Sequence, residues 1–106
     1  MKYMFLLLFF VFGTAQAADL AVYELAIKDH VFIPASVEIP ANTRVKLLVK
    51  NQDATPEEFE SIEFNREKIV PGNSEISIYV GPLDAGEYKF YGEFNQATAQ
   101  GKLIVK

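Results

Sequence analysis

Hydrophobic and polar residues alternate along most of the chain after residue 18. Tyr23, Leu25 and Ile27 share one parity, with polar residues on the other. The same alternation recurs in the runs 45–49, 76–80, 88–90 and 103–105. A period of two puts one face of a strand on a core and the other in water. Short strands separated by Pro, Gly, Asn and Asp predict an all-β domain, either an antiparallel β-sandwich or a Greek-key barrel.

Residues 55–58 do not follow this pattern. Thr55 is a good helix-capping residue, Pro56 suits the first helical position, and Glu58 lies three residues after the cap. These features favour a helical turn. As a strand, the segment would put Glu58 and Glu60 on one face, which is a weakly amphipathic pattern. Periodicity alone leaves both structures open.

The first 17 residues have the three-part layout of a secretory signal peptide. Met1-Lys2 is a positive start, residues 3–13 are an apolar stretch, and Ala15-Gln16-Ala17 is a small-x-small cleavage site. The apolar stretch is shorter than the ~18–20 residues that a membrane span needs. We therefore expect residues 1–17 to be a removed signal peptide and residues 18–106 to form one exported domain without a membrane span.

The amino-acid composition then excludes several kinds of site and partner. The chain has no Cys, and its two Met residues, at positions 1 and 4, leave with the signal peptide. Disulfides, zinc-thiolate sites, iron–sulfur clusters and thioether ligands are thereby excluded. The net charge of −4 argues against nucleic acid or an anionic membrane surface as partner. An exported domain without cysteine favours a bacterial periplasm, so we expect a periplasmic protein.

Residues 57–67 contain five Glu residues, and two interpretations are open. The segment is either a solvated, charged surface or a carboxylate site for a hard cation. On a strand, the side chains of Glu58 and Glu60 emerge from one face about 7 Å apart, close enough to reach one ion. Oxygen ligands suit iron, manganese, magnesium or calcium and do not suit Cu(I).

Two residues outside this segment add candidate donors. Glu93 falls with Tyr91 on the face opposite Phe90, and it can meet the 57–67 segment if both lie at the same end of the fold. His30 is the only histidine. It is either a nitrogen ligand oriented by Asp29 or a backbone carbonyl, or an ordinary surface residue. The sequence has no nucleophile–histidine–acid arrangement and no phosphate loop. No motif therefore indicates a self-contained enzyme.

Several short motifs follow one another through the chain in an order that resembles a cupredoxin. They are Phe32-x-Pro34, Ile39-Pro40-Ala41, Val49-x-Asn51-x-Asp53-x-Thr55-Pro56-x-x-Phe59, Val70-Pro71-Gly72, Gly86-x-Tyr88-x-Phe90 and Gly101-x-Leu103-Ile104-Val105. A narrower set, in 56–61, 65–68, 81–83 and 92–94, resembles the cupredoxin-like domain of periplasmic iron-uptake proteins, of the FtrB type or the EfeO amino-terminal type. The resemblance implies a Greek-key sandwich in which 55–63 is a strand.

The same resemblance implies that the blue-copper ligands are missing. Glu57 stands where an electron-transfer cupredoxin has a His, and its Cys, His and Met map near Gly92, Asn95 and Thr98. A type 1 copper site therefore has no ligands here. The iron-related group also has a His at the position of Asn95. The donors that remain from that group are Glu58, Glu60, Glu67, Glu93 and His30.

Three functions follow from these residues. The first is a periplasmic protein that binds iron through carboxylates in ferrous-iron uptake, with an iron permease or another uptake component as partner. Copper is an alternative metal, but not at a type 1 site. The second is a partner-dependent ferroxidase component. The third is an interaction domain that binds no metal and whose acidic segment docks on a basic surface. This alternative stays open because Asn95 stands where the iron-related group has a His.

Overall fold

The computed structural model describes residues 19–106, so the expected signal peptide, residues 1–17, lies outside the described residues. The described residues form nine strands and one short 3₁₀ turn, which confirms the all-β prediction. Among them, no helix has the length and apolar character to cross a membrane. The strands are β1 (Val22–Lys28), β2 (Val31–Ile33), β3 (Ser36–Ile39), β4 (Val45–Asn51), β5 (Glu57–Ser61), β6 (Arg66–Val70), β7 (Ser74–Val80), β8 (Gly86–Gly92) and β9 (Gln100–Val105), and the 3₁₀ turn is Glu93–Asn95.

The strands form two sheets that pack as a β-sandwich. One sheet has the order β2-β1-β4-β7 and the other has the order β3-β9-β8-β5-β6. Most neighbouring strands are antiparallel, but β1 pairs with β4 and β3 pairs with β9 in parallel, which the expectation of an antiparallel sandwich did not include. Parallel neighbours need a connection that leaves the pair and returns. The strands that lie between them in the chain supply these connections.

The alternation of apolar residues explains the core between the sheets. Along β4, every second residue from Val45 to Asn51 is buried. Three aromatic rings fill the centre: Phe59 stacks on Phe90 with ring centroids 4.9 Å apart, and Phe32 meets Phe90 edge to face at 5.0 Å. Apolar burial and aromatic contacts of this kind are the main stabilising interactions of a small domain.

The helical turn that the capping residues at 55–58 favour does not form, because Glu57–Ser61 is strand β5. This strand pairs with β6 along its whole length and with β8 at Phe59 and Glu60. Phe59 is also fully buried in the core. Capping chemistry stabilises a single helical turn only weakly, so two hydrogen-bonded ladders and a buried ring outweigh it. The strand implied by the cupredoxin resemblance is confirmed.

Asn51 fixes the loop that leads into β5. Its side-chain amide donates to the backbone carbonyl of Thr55 at 2.9 Å and to that of Val70 at 3.2 Å. Its side-chain oxygen accepts the N–H of Asp53 at 3.0 Å. One buried side chain thereby connects the end of β4, the loop and the end of β6. The chain consequently enters β5 at a fixed place.

Two cationic side chains bridge the seam between the sheets. β6 and β7 are edge strands of different sheets. The Nε of Arg66 donates to the carbonyl of Tyr79 at 2.8 Å, and the Nζ of Lys68 donates to the carbonyl of Ser77 at 3.1 Å. These bonds satisfy backbone acceptors that an edge strand leaves without a neighbouring strand.

Candidate metal centre

Alternation along β5 separates its residues into two faces. Glu57, Phe59 and Ser61 are buried against the core. Glu58 and Glu60 lie on the opposite face and are partly exposed. The shared face of these two carboxylates, which the sequence predicts for a strand, is therefore present.

Glu93 joins this pair from the neighbouring strand. β5 and β8 pair side by side, with Glu60 opposite Tyr91, and Glu93 follows β8 directly. One carboxylate oxygen from each of Glu58, Glu60 and Glu93 lies within 4.8 Å of the other two. We call these three residues the carboxylate cluster. Their spacing allows all three to contact one ion.

Like charges crowd the carboxylate cluster. Burial raises the pKa of Glu58, and a hydrogen bond with Glu60 and the charge of Glu67 raise it further. Burial and then the hydrogen bond and charge of Glu60 raise the pKa of Glu93. Each ionised carboxylate disfavours ionisation of the others. A cation bound between them would remove this repulsion.

Glu67 and Tyr91 border the carboxylate cluster. Glu67 lies opposite Glu60 in the register of β5 and β6, but its oxygens are not among those that lie within 4.8 Å of one another. Burial and then the charges of Glu60 and Glu93 raise the pKa of the Tyr91 phenol. Sequence alternation put Tyr91 on this face, but it did not identify Tyr91 as a neighbour of the site. That contact depends on the pairing of β5 with β8.

His30 is in a different place, outside the carboxylate cluster. It is the second residue of the two-residue turn between β1 and β2, in which Asp29 has a φ of 53° and His30 a φ of 59°. Both N–H groups donate to the carboxylate of Asp53, at 2.8 and 3.0 Å. The Nδ1 of His30 lies 3.6 Å from the same carboxylate. The carboxylate beside His30 is therefore that of Asp53, not the expected Asp29.

The positions that the cupredoxin resemblance assigns to copper ligands do come together, but they hold none of the Cys, His and Met ligands of a type 1 copper site. Glu57 Oε2 accepts a hydrogen bond from the side-chain amide of Asn95 at 2.7 Å. Gly92 lies against this carboxylate, since a Cβ atom there would be 2.6 Å from Glu57 Cδ. The carbonyl of Asn95 accepts the N–H of Thr98 at 3.2 Å. Without a thiolate or an imidazole, and without room for a side chain at residue 92, a type 1 copper ion does not fit.

Comparison with known proteins gives a family and one relative in sequence. A family model described as a cupredoxin-like domain matches residues 2–105. The chain is 48% identical over 82 residues to the uncharacterized protein RP394 of Rickettsia prowazekii (strain Madrid E). This match covers 77% of the chain and 66% of that relative, so the chain spans slightly less than two thirds of the relative's length.

Solved structures share the fold at low sequence identity. Auracyanin A, a "blue" copper protein from Chloroflexus aurantiacus, has a TM-score of 0.71 at 15% identity, covering 81% of this chain and 98% of its own. The metal binding domain of the Cu(I)-exporting P-type ATPase CopA from Streptococcus pneumoniae, solved with Cu(I), has a TM-score of 0.69 at 13% identity, covering 80% and 84%. These similarities confirm a cupredoxin-like β-sandwich.

Proposed function

Because this chain belongs to the cupredoxin-like domain family and has no cysteine for a blue-copper centre, we propose that it binds a metal ion at the carboxylate cluster. The observation that carries the proposal is the approach of one oxygen each from Glu58, Glu60 and Glu93 to within 4.8 Å. Glu67 and Tyr91 are neighbours that add oxygen donors at the border. His30 takes no part in this proposed site.

The chemistry of these donors favours iron over copper. Carboxylate and phenol oxygens suit hard ions such as iron and manganese, whereas Cu(I) prefers thiolate and thioether sulfur. The described residues offer no cysteine sulfur. Converging negative charges also stabilise a triply charged ion more than a doubly charged one, so the site favours Fe(III) over Fe(II). Copper(II) remains a competitor, but not at a type 1 site.

We further propose that the ion is cargo, bound in the periplasm and passed to an iron permease or another component of ferrous-iron uptake. The motifs in 56–61, 65–68, 81–83 and 92–94, which resemble those of periplasmic iron-uptake domains, support this role. The partial exposure of Glu58 and Glu60 supports it as well, because a partner can reach the ion. The CopA domain offers a parallel, since it is the metal binding domain of a transporter that exports Cu(I).

Metal titration tests the proposal. Fe(II), Mn(II) and Cu(II) are titrated anaerobically into the purified protein and into Glu58→Gln/Glu60→Gln, with calorimetry as the measurement. We expect the wild type to bind Fe(II) and Mn(II) and the double variant to bind at least about tenfold more weakly, since even loss of an outer-sphere partner has an effect of that size. Glu75→Gln/Asp84→Asn is the matched control, because it removes the same charge from exposed residues outside the cluster. Equal weak binding by all three proteins would refute the carboxylate site.

The same proteins separate the two other functions. Faster loss of Fe(II) with wild type than with Glu58→Gln/Glu60→Gln, in the presence of oxygen or a copper acceptor, would identify a ferroxidase component. Association with a basic partner that persists in chelator and weakens with salt would identify an interaction domain instead.

A further inference from the structure

Glu57 is a buried carboxylate that the proposed metal site does not use as a ligand. Its side chain lies on the inward face of β5, and the residue is 2% exposed. A carboxylate this deeply buried is costly unless hydrogen bonds compensate its charge. The partners of Glu57 therefore indicate what it does.

Among residues 19–106, the hydrogen-bond partners of this carboxylate are all amide donors. Oε1 accepts the backbone N–H of Phe94 at 2.8 Å and that of Glu58 at 3.0 Å. Oε2 accepts the side-chain N–H of Asn95 at 2.7 Å. Within the same described range, the lysines that form ion pairs do so with other carboxylates. Glu57 is thus held by N–H groups of the main chain and of Asn95.

The two backbone amides belong to segments that carry the carboxylate cluster. One is the amide of Glu58 itself. The other is the peptide that joins Glu93 to Phe94, at the start of the 3₁₀ turn. The ladder between β5 and β8 extends only over residues 59–60 and 91–92. Beyond the end of this ladder, the hydrogen bonds that Glu57 accepts connect the two segments.

We propose that Glu57 is a positioning residue, whose Oε1 fixes the separation of Glu58 and Glu93 by accepting the backbone N–H groups of Glu58 and of Phe94, the residue after Glu93. This proposal rests on the metal site proposed above and adds how that site is assembled. A ligand set held in place before the ion arrives binds it more tightly than one that must be ordered. Partners of this kind change metal affinity by about 10- to 100-fold when they are lost.

Two conservative variants separate the geometry of Glu57 from its charge. Glu57→Asp keeps the charge but is one methylene too short to reach both amides. Glu57→Gln keeps Oε1 at the same reach and loses the charge, and the Asn95 amide can turn its oxygen towards the new N–H₂ group. The probe is Mn(II), whose free and bound forms are distinguished by electron paramagnetic resonance. We expect Glu57→Asp to bind Mn(II) about 10- to 100-fold more weakly and Glu57→Gln to bind it with nearly wild-type affinity.

Two controls accompany these variants. Val105→Ala removes buried volume from β9 and gives a protein that is less stable but keeps the Glu57 contacts, so it should retain wild-type affinity. Glu58→Gln/Glu60→Gln reports on the metal site itself. Wild-type affinity in Glu57→Asp, or a loss in Glu57→Gln as large as that in Glu57→Asp, would overturn the positioning role while the metal site stands. Equal binding by wild type and Glu58→Gln/Glu60→Gln would overturn the metal site and the positioning role together.

Discussion

Asp53 holds the turn between β1 and β2, and removing its charge should measurably destabilise the protein. Its carboxylate accepts the N–H groups of Asp29 and His30, at 2.8 and 3.0 Å. Both donors have positive φ, as a type I′ turn requires. Neither is glycine, so the turn depends on compensation from outside itself. Asp53→Asn is the perturbation that weakens this compensation with the smallest change in shape.

The size of the effect follows from these contacts. A left-handed conformation costs a non-glycine residue about 1–2 kcal/mol. A hydrogen bond to a charged group contributes about 1.5–3 kcal/mol. Asn retains one acceptor oxygen and replaces the other by a donor, so Asp53→Asn loses the charge and one of the two bonds. We expect the free energy of unfolding to fall by about 2 kcal/mol.

The effect should depend on pH in a defined direction. Burial acts to raise the pKa of Asp53, but the hydrogen bonds from the His30 and Asp29 amides and the charges of His30 and Lys28 outweigh it, so the pKa is lowered from 3.8. A carboxyl group with a lowered pKa stabilises the folded state above its unfolded pKa and loses this contribution as the pH falls through its folded pKa. The difference between wild type and Asp53→Asn should therefore shrink below a pH of about 4.

Urea unfolding of both proteins, at pH 7 and at a series of acidic pH values, measures these differences. Asp84→Asn is the matched control, because Asp84 is exposed and its backbone carbonyl, not its carboxylate, accepts the hydrogen bond from Tyr88. We expect Asp84→Asn to unfold like wild type. A loss below about 0.5 kcal/mol in Asp53→Asn, the range of ordinary surface substitutions, would refute the role of Asp53. A loss that stays constant down to the acid limit would refute the role of its charge.

Three further variants test other contacts. His30→Gly should raise the free energy of unfolding by up to about 1 kcal/mol, because glycine removes a left-handed strain of about 1–2 kcal/mol but loses about 0.5–1 kcal/mol more in backbone entropy on folding. A lower free energy of unfolding in urea would contradict this. Gly92→Ala should lower the free energy of unfolding by about 1–3 kcal/mol, because the new Cβ would lie 2.6 Å from Glu57 Cδ. An unchanged melting temperature would show that the Glu57 side chain moves away without a cost in stability. Glu60→Gln should stabilise the metal-free protein at pH 7, because the pKa of Glu58 is raised from 4.5 and its ionisation costs stability as the pH rises. Melting curves at pH 4 and pH 7 should show this gain only at the higher pH, and an equal gain at both would contradict the repulsion.

The regular strands were predictable because the alternation of apolar and polar residues within each strand indicates which face is buried. Leu25 and Ile27 on β1, and Leu103 and Val105 on β9, are buried as alternation requires. The common face of Glu58 and Glu60 follows from the same rule once β5 is a strand. Nothing but the two-residue repeat is needed for these predictions.

β5 itself was not predictable from periodicity, because two of its three inward residues are polar. Ser61 is buried since its hydroxyl donates to the carbonyl of Lys89 at 2.7 Å and accepts the N–H of Phe64 at 3.2 Å. Glu57 is buried because its partners include Phe94, 37 residues away. Partners so distant along the chain leave no local signal, whereas the capping residues at 55–58 leave a strong one. Only the motif resemblance carried the correct strand assignment.

No local sign in the sequence indicates that His30 pairs with Asp53 or that the carboxylate cluster assembles. In both cases the partners lie far apart along the chain. Asp53 lies 23 residues from His30, while Asp29 is its neighbour and the natural local candidate. Glu93 was recognised as able to meet the 57–67 segment, but the contact itself depends on β8 lying next to β5. Sequence reasoning can name the donors of such a site, and the sheet order decides which of them meet.

The bridges from β6 to β7 also have a consequence for how copies of this protein behave together. An edge strand with free carbonyls is a template on which a strand of another molecule can pair, and this is a common route to aggregation. On β7, the carbonyls of Ser77 and Tyr79 are already occupied by Lys68 and Arg66. A second molecule would have to displace two charged side chains before it could form a ladder there. This edge is therefore protected against intermolecular sheet extension.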